Sequence, residues 1–198
     1  MAKRVILGSS SPYRRQILEK LGIRFECISP EIDEQALPGE APETLVTRLA
    51  FAKAKAVQQQ SESPAIIITS DQVAVLNGRI LTKPGNHQNA VAQLRFCRGN
   101  AVVFHTSLCV LNSAANTTIC ENIPFTVHFR QLSDVEIENY LLREKPYDCA
   151  GSFKSEGLGI TLFERFEGDD PNTLIGLPIM RLNQLLIKEG INPLLFTS

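Results

Sequence analysis

The stretch VILGSSSPYRR, at residues 5–15, contains the change from strand to helix that decides the fold. Residues 5–8 are typical of a short buried strand, because an apolar run ends at a glycine. Ser11 is a favoured N-cap residue and Pro12 suits the first position of a helix, so we predict a helix up to Leu21. A strand that leads directly into a helix is typical of α/β folds.

The alternation of strands and helices continues along the chain. Asn77-Gly78 predicts a β-hairpin with a type I′ turn, because both central positions of that turn need positive φ. Ser133 and Glu136 have the spacing of a capping box. The other predicted elements are strands at residues 25–29, 65–76, 79–82, 101–111 and 117–130, and helices at residues 43–59, 86–97, 133–143 and 178–189. This order predicts an α/β fold with a mixed sheet.

Composition and charge exclude several classes of protein. The 198 residues include 20 Lys+Arg and 21 Asp+Glu, for a net charge of −1, and 43% are hydrophobic. A nucleic-acid polymer or an anionic membrane surface attracts proteins with a strong basic excess, so we expect neither as a partner. The length predicts a single domain over residues 1–198 with a full core. The second half of the uncharged stretch at residues 99–120 carries several polar residues, which argues against a membrane span.

The five cysteines are odd in number, scattered, and without a C-x-x-C motif. We therefore expect neither a zinc ribbon nor a redox pair, and the pattern favours a reducing compartment. The N-terminal apolar run is too short for a signal peptide. Together these features predict a cytoplasmic protein whose core needs no disulfide.

The turn before the first helix is a candidate phosphate site. It offers three hydroxyls at residues 9–11 and two guanidinium groups, from Arg14 and Arg15. The free N–H groups and the positive dipole end of a helix N-terminus suit phosphate. Adjacent helical residues point about 100° apart, so we expect one arginine to face inward and the other to form a structural ion pair. An ordinary capped helix with solvated arginines is the open alternative.

Acidic residues on two separate segments form a candidate metal site. Asp71 follows the apolar run at residues 66–68, where an acid is unexpected unless it is paired or binds a metal. Asp33 and Glu34 lie in a predicted exposed loop. Carboxylates suit Mg²⁺ or Mn²⁺, which prefer oxygen ligands. For Asp33 and Glu34, a solvated loop is the alternative.

Three lysines complete the charged candidates. Lys53 and Lys55 lie on opposite sides of the apolar stripe of their helix, so we expect them to have different roles. Lys83 follows the hairpin, where ideal pairing places Gln72 opposite it and Asp71 on the other face. If Asp71 and Lys83 serve one pocket, the hairpin must be bulged or splayed there. A solvated surface charge is the alternative for each lysine.

The segment CAGSFKSEG, at residues 149–157, is the last candidate. Its small residues and two glycines allow a ligand to approach the backbone closely, and Lys154 and Glu156 project from it. A tight surface turn is the alternative. We do not predict Cys149 to be a nucleophile, and the three histidines lack metal-ligand spacing.

Together these motifs resemble the Maf family of nucleoside triphosphate pyrophosphatases over residues 6–182. The resemblance depends on SSSPYRR at residues 9–15, Asp33-Glu34, Lys53, Ser70-Asp71-Gln72 and Thr82-Lys83-Pro84. Residues 12–15, 70–72 and 149–157 are similar to the branch of the family that acts on 7-methyl-GTP.

The resemblance implies a mixed, elongated β-sheet flanked by helices, with two lobes around a nucleotide cleft, as in inosine triphosphatase-like folds. It also implies hydrolysis of 7-methyl-GTP to 7-methyl-GMP and pyrophosphate by a cytoplasmic homodimer that uses a divalent metal, Mg²⁺ or Mn²⁺. The residues implied are Asp71 for catalysis, Ser9, Arg14, Lys53 and Lys83 for phosphate, Glu34 and Asp71 for the metal, and Tyr13, Gln72 and Glu156 for substrate choice.

Two other functions stay open at this point. One is a pyrophosphatase that acts on a pyrimidine or an unmodified purine triphosphate. The other is a nucleotide-binding regulator of cell division that does not turn its ligand over. Binding alone does not require Asp71, so the complete set of acids and bases favours an enzyme.

Overall fold

The computed structural model describes residues 3–195, which form two compact units. The first unit contains the described residues up to Gln72, Thr106–Ile123, and the described residues from Gly176 onward. The second unit contains Val73–His105 and Pro124–Ile175. The nucleotide cleft stays a prediction.

The strands of residues 3–195 form one mixed sheet, as predicted. They are β1 (Val5–Leu7), β2 (Glu26–Cys27), β3 (Ile66–Leu76), β4 (Arg79–Leu81), β5 (Ala101–Asn112), β6 (Thr117–Phe129) and β7 (Phe163–Glu167). Their order in the sheet is β2-β1-β3-β5-β6-β7, and β4 pairs with β3. β1 is parallel to β2 and β3, whereas β3 with β4 and β6 with β7 are antiparallel.

Helices flank the sheet. They are α1 (Pro12–Glu19), α2 (Pro42–Gln60), α3 (His87–Cys97), α4 (Asp134–Glu144), α5 (Asn172–Ile175) and α6 (Ile179–Lys188). Two of them begin at the predicted caps: the side chain of Ser11 accepts a hydrogen bond from the backbone of α1, and Ser133 and Glu136 form the predicted capping box of α4. The first helix ends two residues earlier than predicted.

The predicted hairpin is confirmed at its turn. Asn77 has a φ of 51° and Gly78 a φ of 76°, as a type I′ turn requires. The paired residues run from Leu76 with Arg79 to Ala74 with Leu81. Neither Asp71 nor Lys83 is among the pairs of this ladder, so the hairpin pairing leaves both positions unconstrained.

Strand β7 was not predicted from the sequence, and the reason lies in its pairing. Its sequence FERFE places two phenylalanines three residues apart, so it lacks the alternation of a regular strand. The register between β6 and β7 shifts between His128 and Phe129, which accommodates this spacing. Tertiary pairing therefore made a strand where the local pattern did not predict one.

Each unit has a hydrophobic core of its own. In the first unit, Ile6 and Ile67 of the sheet pack against Ala50, Ala54 and Val57 of α2. In the second unit, aromatic side chains dominate the packing. The rings of Phe104, Phe129, Phe153 and Phe163 meet edge to face, with Phe153 in contact with the other three.

Two of the five cysteines form a disulfide bond, which the cysteine pattern did not predict. Cys109 on β5 and Cys120 on β6 form a disulfide bond. The two strands are neighbours in the sheet and follow one another in the chain, so their pairing brings the two residues together. Cys27, Cys97 and Cys149 are free thiols. The cysteine pattern therefore no longer supports a reducing compartment.

None of the helices within residues 3–195 is both long and apolar enough to cross a membrane.

Candidate active site

The turn after β1 is tightly packed and carries Ser9. The amide of Gly8 donates to the carbonyl of Ile68 over 2.8 Å, and a Cβ at Gly8 would lie 2.6 Å from Cγ2 of Thr69. Glycine is therefore required for the close approach to β3. Ser9 is buried, and its Oγ accepts from the amide of Ser11 over 3.1 Å. Because Oγ is used as an acceptor, its hydroxyl proton can be donated to a ligand.

The two neighbouring arginines have different roles, as predicted. Arg14 is half-buried, and its Nε donates to the carbonyl of Gly176 over 2.9 Å. Burial lowers the pKa of Arg14, and the charges of Asp71 and Glu34 act in the opposite direction. Arg15 is exposed and forms an ion pair with Glu19 at 3.0 Å.

Gly176 contacts two residues of the candidate site and was not predicted from the sequence. Its carbonyl accepts from Arg14 and also from Oγ of Ser70, the latter over 2.8 Å. Its φ is 120°, and a Cβ there would lie 3.2 Å from Nε of Arg14. A residue that acts through its carbonyl leaves no side-chain signal in the sequence.

The centre of the site is a charged cluster around Lys53. Nζ of Lys53 lies 2.5 Å from Oδ1 of Asp71 and 2.8 Å from Oε1 of Glu34. Lys53 is 7% and Asp71 8% exposed, whereas the Glu34 side chain is 60% exposed. The structure thus brings together a helix, a strand and a loop, and Lys53 is not the solvated lysine of the alternative interpretation.

Two buried hydroxyls fasten this cluster to helix α2. Ser107 on β5 accepts from the amide of Asp71 over 3.1 Å and donates to the carbonyl of Val46 over 2.7 Å. Thr69 donates to the carbonyl of Ala50 over 2.6 Å. The strand that carries Asp71 is therefore attached to the helix that carries Lys53. In the sequence, these hydroxyls read as ordinary strand residues.

The structure gives Asp33 and Lys55 local roles. Oδ1 of Asp33 accepts from the amide of Gln35 over 3.0 Å. Lys55 lies over the ring of Phe51, at 5.6 Å from its centroid, and donates to Gln58. All three contacts are within a few residues along the chain. The different roles predicted for Lys53 and Lys55 are thereby confirmed.

Two of the three candidate specificity residues belong to the first unit. Tyr13 is half-buried on α1, next to Arg14. Gln72 is also half-buried and follows Asp71 on β3. Its Nε2 donates to Oγ1 of Thr106 over 2.7 Å.

In the second unit, Lys83 is exposed and lines an open surface pocket of about 330 Å³. Gln93, on α3, contacts the backbone just before Lys83. The Nε2 of Gln93 donates to the carbonyl of Thr82 over 3.0 Å. Its Oε1 accepts from Ser152 over 2.5 Å. One amide therefore contacts both candidate segments of this unit.

The segment at residues 149–157 is held by its backbone rather than exposed as a simple turn. Phe153 is 5% exposed within the aromatic cluster, and the amide of Lys154 donates to the hydroxyl of Tyr140 over 3.1 Å. The Glu144 carboxylate accepts from the amide of Leu158 over 2.9 Å. Glu156 stays exposed at the surface.

Cys149 has the properties of an unreactive thiol, which agrees with the prediction that it is not a nucleophile. Burial, together with the neighbouring Asp148, raises the pKa of Cys149 to about 12. The nucleophilic form of cysteine is the thiolate, which is scarce at neutral pH when the pKa is this high.

Glu34 and Asp71 suit a metal ion that is shared with a substrate. No group of three or more His, Cys, Asp or Glu side chains that could hold a metal occurs among residues 3–195. Mg²⁺ commonly binds one or two carboxylates and completes its coordination with substrate phosphates and water. Both carboxylates contact the ammonium group of Lys53, so they lie close together. This pair of carboxylates fits a site in which substrate phosphates and water complete the coordination of the metal.

Comparison with known proteins shows what this chain is similar to. Residues 4–189 match the family described as Maf-like protein. A 7-methyl-GTP pyrophosphatase of Colwellia psychrerythraea is 55% identical over 97% of this chain and 96% of its own length. A second 7-methyl-GTP pyrophosphatase, from Idiomarina loihiensis, is 54% identical over 96% of each chain.

A solved structure supports the fold. The HAM1 protein of Coxiella burnetii aligns with a TM-score of 0.54 at 12% identity, and the alignment covers 94% of this chain and 100% of that one. At this identity the likeness concerns the fold alone. It agrees with the predicted mixed α/β class.

Proposed function

Because this chain belongs to the Maf-like protein family, we propose that it is a nucleoside triphosphate pyrophosphatase that hydrolyses 7-methyl-GTP to 7-methyl-GMP and pyrophosphate. The observation that carries the proposal is the identity of 55% and 54%, over almost the whole chain, to two proteins named 7-methyl-GTP pyrophosphatase. The cluster of Lys53, Asp71 and Glu34 supplies the charged groups that such a reaction needs. The role of the enzyme would be to remove a modified nucleotide from the nucleotide pool.

Asp71 is the proposed catalytic residue. In the reaction, water adds to the α phosphorus, and the bond from this phosphorus to the oxygen that bridges the α and β phosphates breaks. Pyrophosphate leaves with the electron pair of that bond, and the proton of the water passes to the Asp71 carboxylate. Support for this role comes from the burial of Asp71 and from the hydrogen bond that fixes its backbone to Ser107.

Ser9, Arg14, Lys53 and Lys83 are the proposed phosphate-binding residues. The ammonium of Lys53 has three N–H donors, so it can hold two carboxylates and still donate to a phosphate oxygen. Nε of Arg14 is used by Gly176, and its terminal nitrogens can face a phosphate. The inclusion of Lys83, in the second unit, rests on the resemblance of Thr82-Lys83-Pro84 to the family.

Glu34 and Asp71 would hold the divalent cation, Mg²⁺ or Mn²⁺. When bound, such a cation offsets phosphate charge and polarises phosphoryl oxygens. Lys53 keeps the two carboxylates near one point, which supports their assignment to one ion. Whether Mg²⁺ or Mn²⁺ is preferred is part of the test below.

Tyr13, Gln72 and Glu156 are the proposed residues of base selection. A guanine methylated at N7 is cationic, so the ring of Tyr13 can attract it by a cation–π contact of about 0.5–2 kcal/mol. Glu156 complements the positive ring or accepts from its N–H groups. An unmethylated base gains less from either contact, so the site favours the methylated nucleotide.

The wider context is proposed on the same family basis. We propose one catalytic domain over residues 1–198, because the family match at residues 4–189 includes both units. A cytoplasmic homodimer is proposed from the family resemblance. A gel-filtration mass equal to that of one chain would contradict the dimer.

A panel of nucleotides tests the proposed function. We expect pyrophosphate release to be fastest with 7-methyl-GTP, compared with GTP, ATP, UTP and dTTP, each assayed with Mg²⁺ and with Mn²⁺. Faster release from a pyrimidine or unmodified purine triphosphate would keep the class of enzyme and change its substrate. No release from any nucleotide, together with binding of one of them, would identify a regulator instead.

A further inference from the structure

The loop that carries Glu34 needs an anchor. Residues 28–41 are all described, and they form neither helix nor strand. The side chain of Glu34 is 60% exposed, whereas its counterpart Asp71 is buried in a strand. A metal site tolerates only small errors in ligand position, so an exposed loop needs support from its surroundings.

An arginine on α2 supplies this support. Arg48 donates from Nε to Oε1 of Glu40 over 2.6 Å and from Nη2 to Oε2 over 2.7 Å. Nη2 also donates over 2.9 Å to the carbonyl of Gln35, the residue that follows Glu34. Glu40 in turn accepts from the amide of Leu37 over 3.0 Å. Two points of the loop are thus attached directly to one guanidinium group, and a third is attached through Glu40.

The contact between Arg48 and Glu40 is well suited to hold a fixed position. Two-point pairing of a guanidinium with a carboxylate is strong and directional. The Glu40 side chain is 5% exposed and that of Arg48 is 32% exposed, so water has little access to the carboxylate. Arg48 lies five residues before Lys53 on the same helix. One rigid element therefore contacts the backbone beside Glu34 and, through Lys53, its carboxylate.

We propose that Arg48 and Glu40 are positioning residues of the cation site, and that they hold the acidic loop so that Glu34 and Asp71 serve one divalent ion. The inference rests on the proposed function, because it takes Glu34 as a metal ligand. The two residues act through the loop and contact neither substrate nor metal.

A more exposed ion pair in the same unit, with the same two-point geometry, provides the control. Arg4 pairs with Glu26 in the same two-point way, over 2.9 Å and 2.6 Å. Glu26 is on β2 and Arg4 precedes β1, whereas the site follows the other end of β1. Substitution of Arg4 tests what the loss of such a pair does to this unit in general.

The experiment compares Arg48→Lys, Glu40→Gln and Arg4→Lys in the full chain. Mn²⁺ binding is measured from the electron paramagnetic resonance signal of the free ion, without nucleotide. The Mn²⁺ dependence of pyrophosphate release from 7-methyl-GTP is measured separately. We expect Arg48→Lys and Glu40→Gln to raise the Mn²⁺ dissociation constant and the half-activating Mn²⁺ concentration about 10-fold. This is in the range for residues that orient metal ligands. The rate at saturating Mn²⁺ should stay within about twofold of wild type, and Arg4→Lys should match wild type in both measurements.

The outcomes separate the inference from the proposed function. Unchanged Mn²⁺ binding and activation in both Arg48→Lys and Glu40→Gln, with an active wild type, would overturn the positioning role of Arg48 and Glu40. The proposed function would stay intact. No pyrophosphate release from wild type would overturn both. If Arg48→Lys does not fold, Glu40→Gln decides the question, because it keeps the size and one hydrogen-bond acceptor of the side chain.

Discussion

Three charged candidate residues of the first unit bind one another, whereas the charged candidates Lys83 and Glu156 of the second unit do not. In the first unit, the side chains of Lys53, Asp71 and Glu34 form one ion-paired cluster. In the second unit, Lys83 and Glu156 are exposed, and the hydrogen bonds hold the backbone around them. The difference teaches that the fold fixes the charged groups of the first unit and leaves the side chains of Lys83 and Glu156 exposed. Under the proposed function, the first arrangement suits bond breaking and the second suits contact with a ligand.

The largest expected effect tests whether the first unit carries the chemistry. Asp71→Asn keeps the size of the side chain but removes its capacity to accept a proton. We expect the rate of pyrophosphate release to fall by about 10²–10⁴-fold, the usual contribution of a general base. Thermal melting of the variant serves as the control for folding. A rate equal to that of wild type would remove Asp71 from the chemistry and break the comparison.

The same substitution at two lysines sharpens the contrast between the units. Lys53→Met leaves the buried Asp71 without its partner, so we expect the free energy of unfolding to fall by about 3 kcal/mol. Lys83→Met replaces an exposed side chain, and the free energy of unfolding should change by less than about 0.5 kcal/mol.

Denaturant unfolding measures both stabilities, and the kinetics of Lys83→Met complete the test. Loss of a phosphate ligand should raise the KM for 7-methyl-GTP. Equal losses of stability in the two variants would show that the ion-paired cluster is no more structural than an exposed lysine.

A smaller effect is expected for base selection in the second unit. Glu156→Gln removes the negative charge that complements a methylated guanine. An exposed charge contact is worth up to about 1 kcal/mol, so the preference for 7-methyl-GTP over GTP should fall by up to about fivefold. The ratio of kcat/KM for the two nucleotides measures this preference. An unchanged ratio would rule out Glu156 as a residue of base selection.

The smallest expected effect is on the pH dependence of stability, and it concerns one hydrogen-bonded carboxylate from each unit. The hydrogen bond from Arg48 is the main reason why the pKa of Glu40 is lowered from 4.5 to about 2. The backbone of Ser133 is the main reason why the pKa of Glu136 is also lowered from 4.5 to about 2. Because both values are lowered in the folded state, each group stabilises the protein above pH 4.5 and loses this contribution as the pH falls toward 2.

Unfolding of Glu40→Gln and Glu136→Gln at several pH values measures these contributions. The difference in stability from wild type should be constant above pH 4.5 and shrink toward pH 2 for both variants. A difference that persists unchanged at pH 2 would show that the carboxylate charge is not what stabilises that anchor.

Local signals explain most of what could be predicted. Ser11, the Asn77-Gly78 pair and the capping box of Ser133 act within a few residues, and the structure confirms each of them. β7 was missed because its pattern depends on a register shift in a distant strand. The disulfide between Cys109 and Cys120 was missed because it depends on the pairing of two strands.

In the candidate site, the sequence indicated the residue types, and the structure supplied their partners. The unexpected position of Asp71 after an apolar run marked it as paired or functional. Its contact with Lys53, 18 residues away, could not be predicted, because the helix and the strand meet only in the folded chain. Gly176 and Ser107 could not be found either, because a carbonyl and a strand hydroxyl carry no distinctive pattern.

By itself, the sequence determined the alternation of strands and helices, the turns and caps between them, and the set of charged residues that suits a nucleotide. These features depend on backbone preferences and on the spacing of apolar residues, which act over short distances. Only the tertiary structure decided which charges meet: Lys53 with Asp71 and Glu34, and Arg48 with Glu40. Ion pairs depend on distances of a few ångströms between segments, and those distances exist only when the sheet and its helices have packed together.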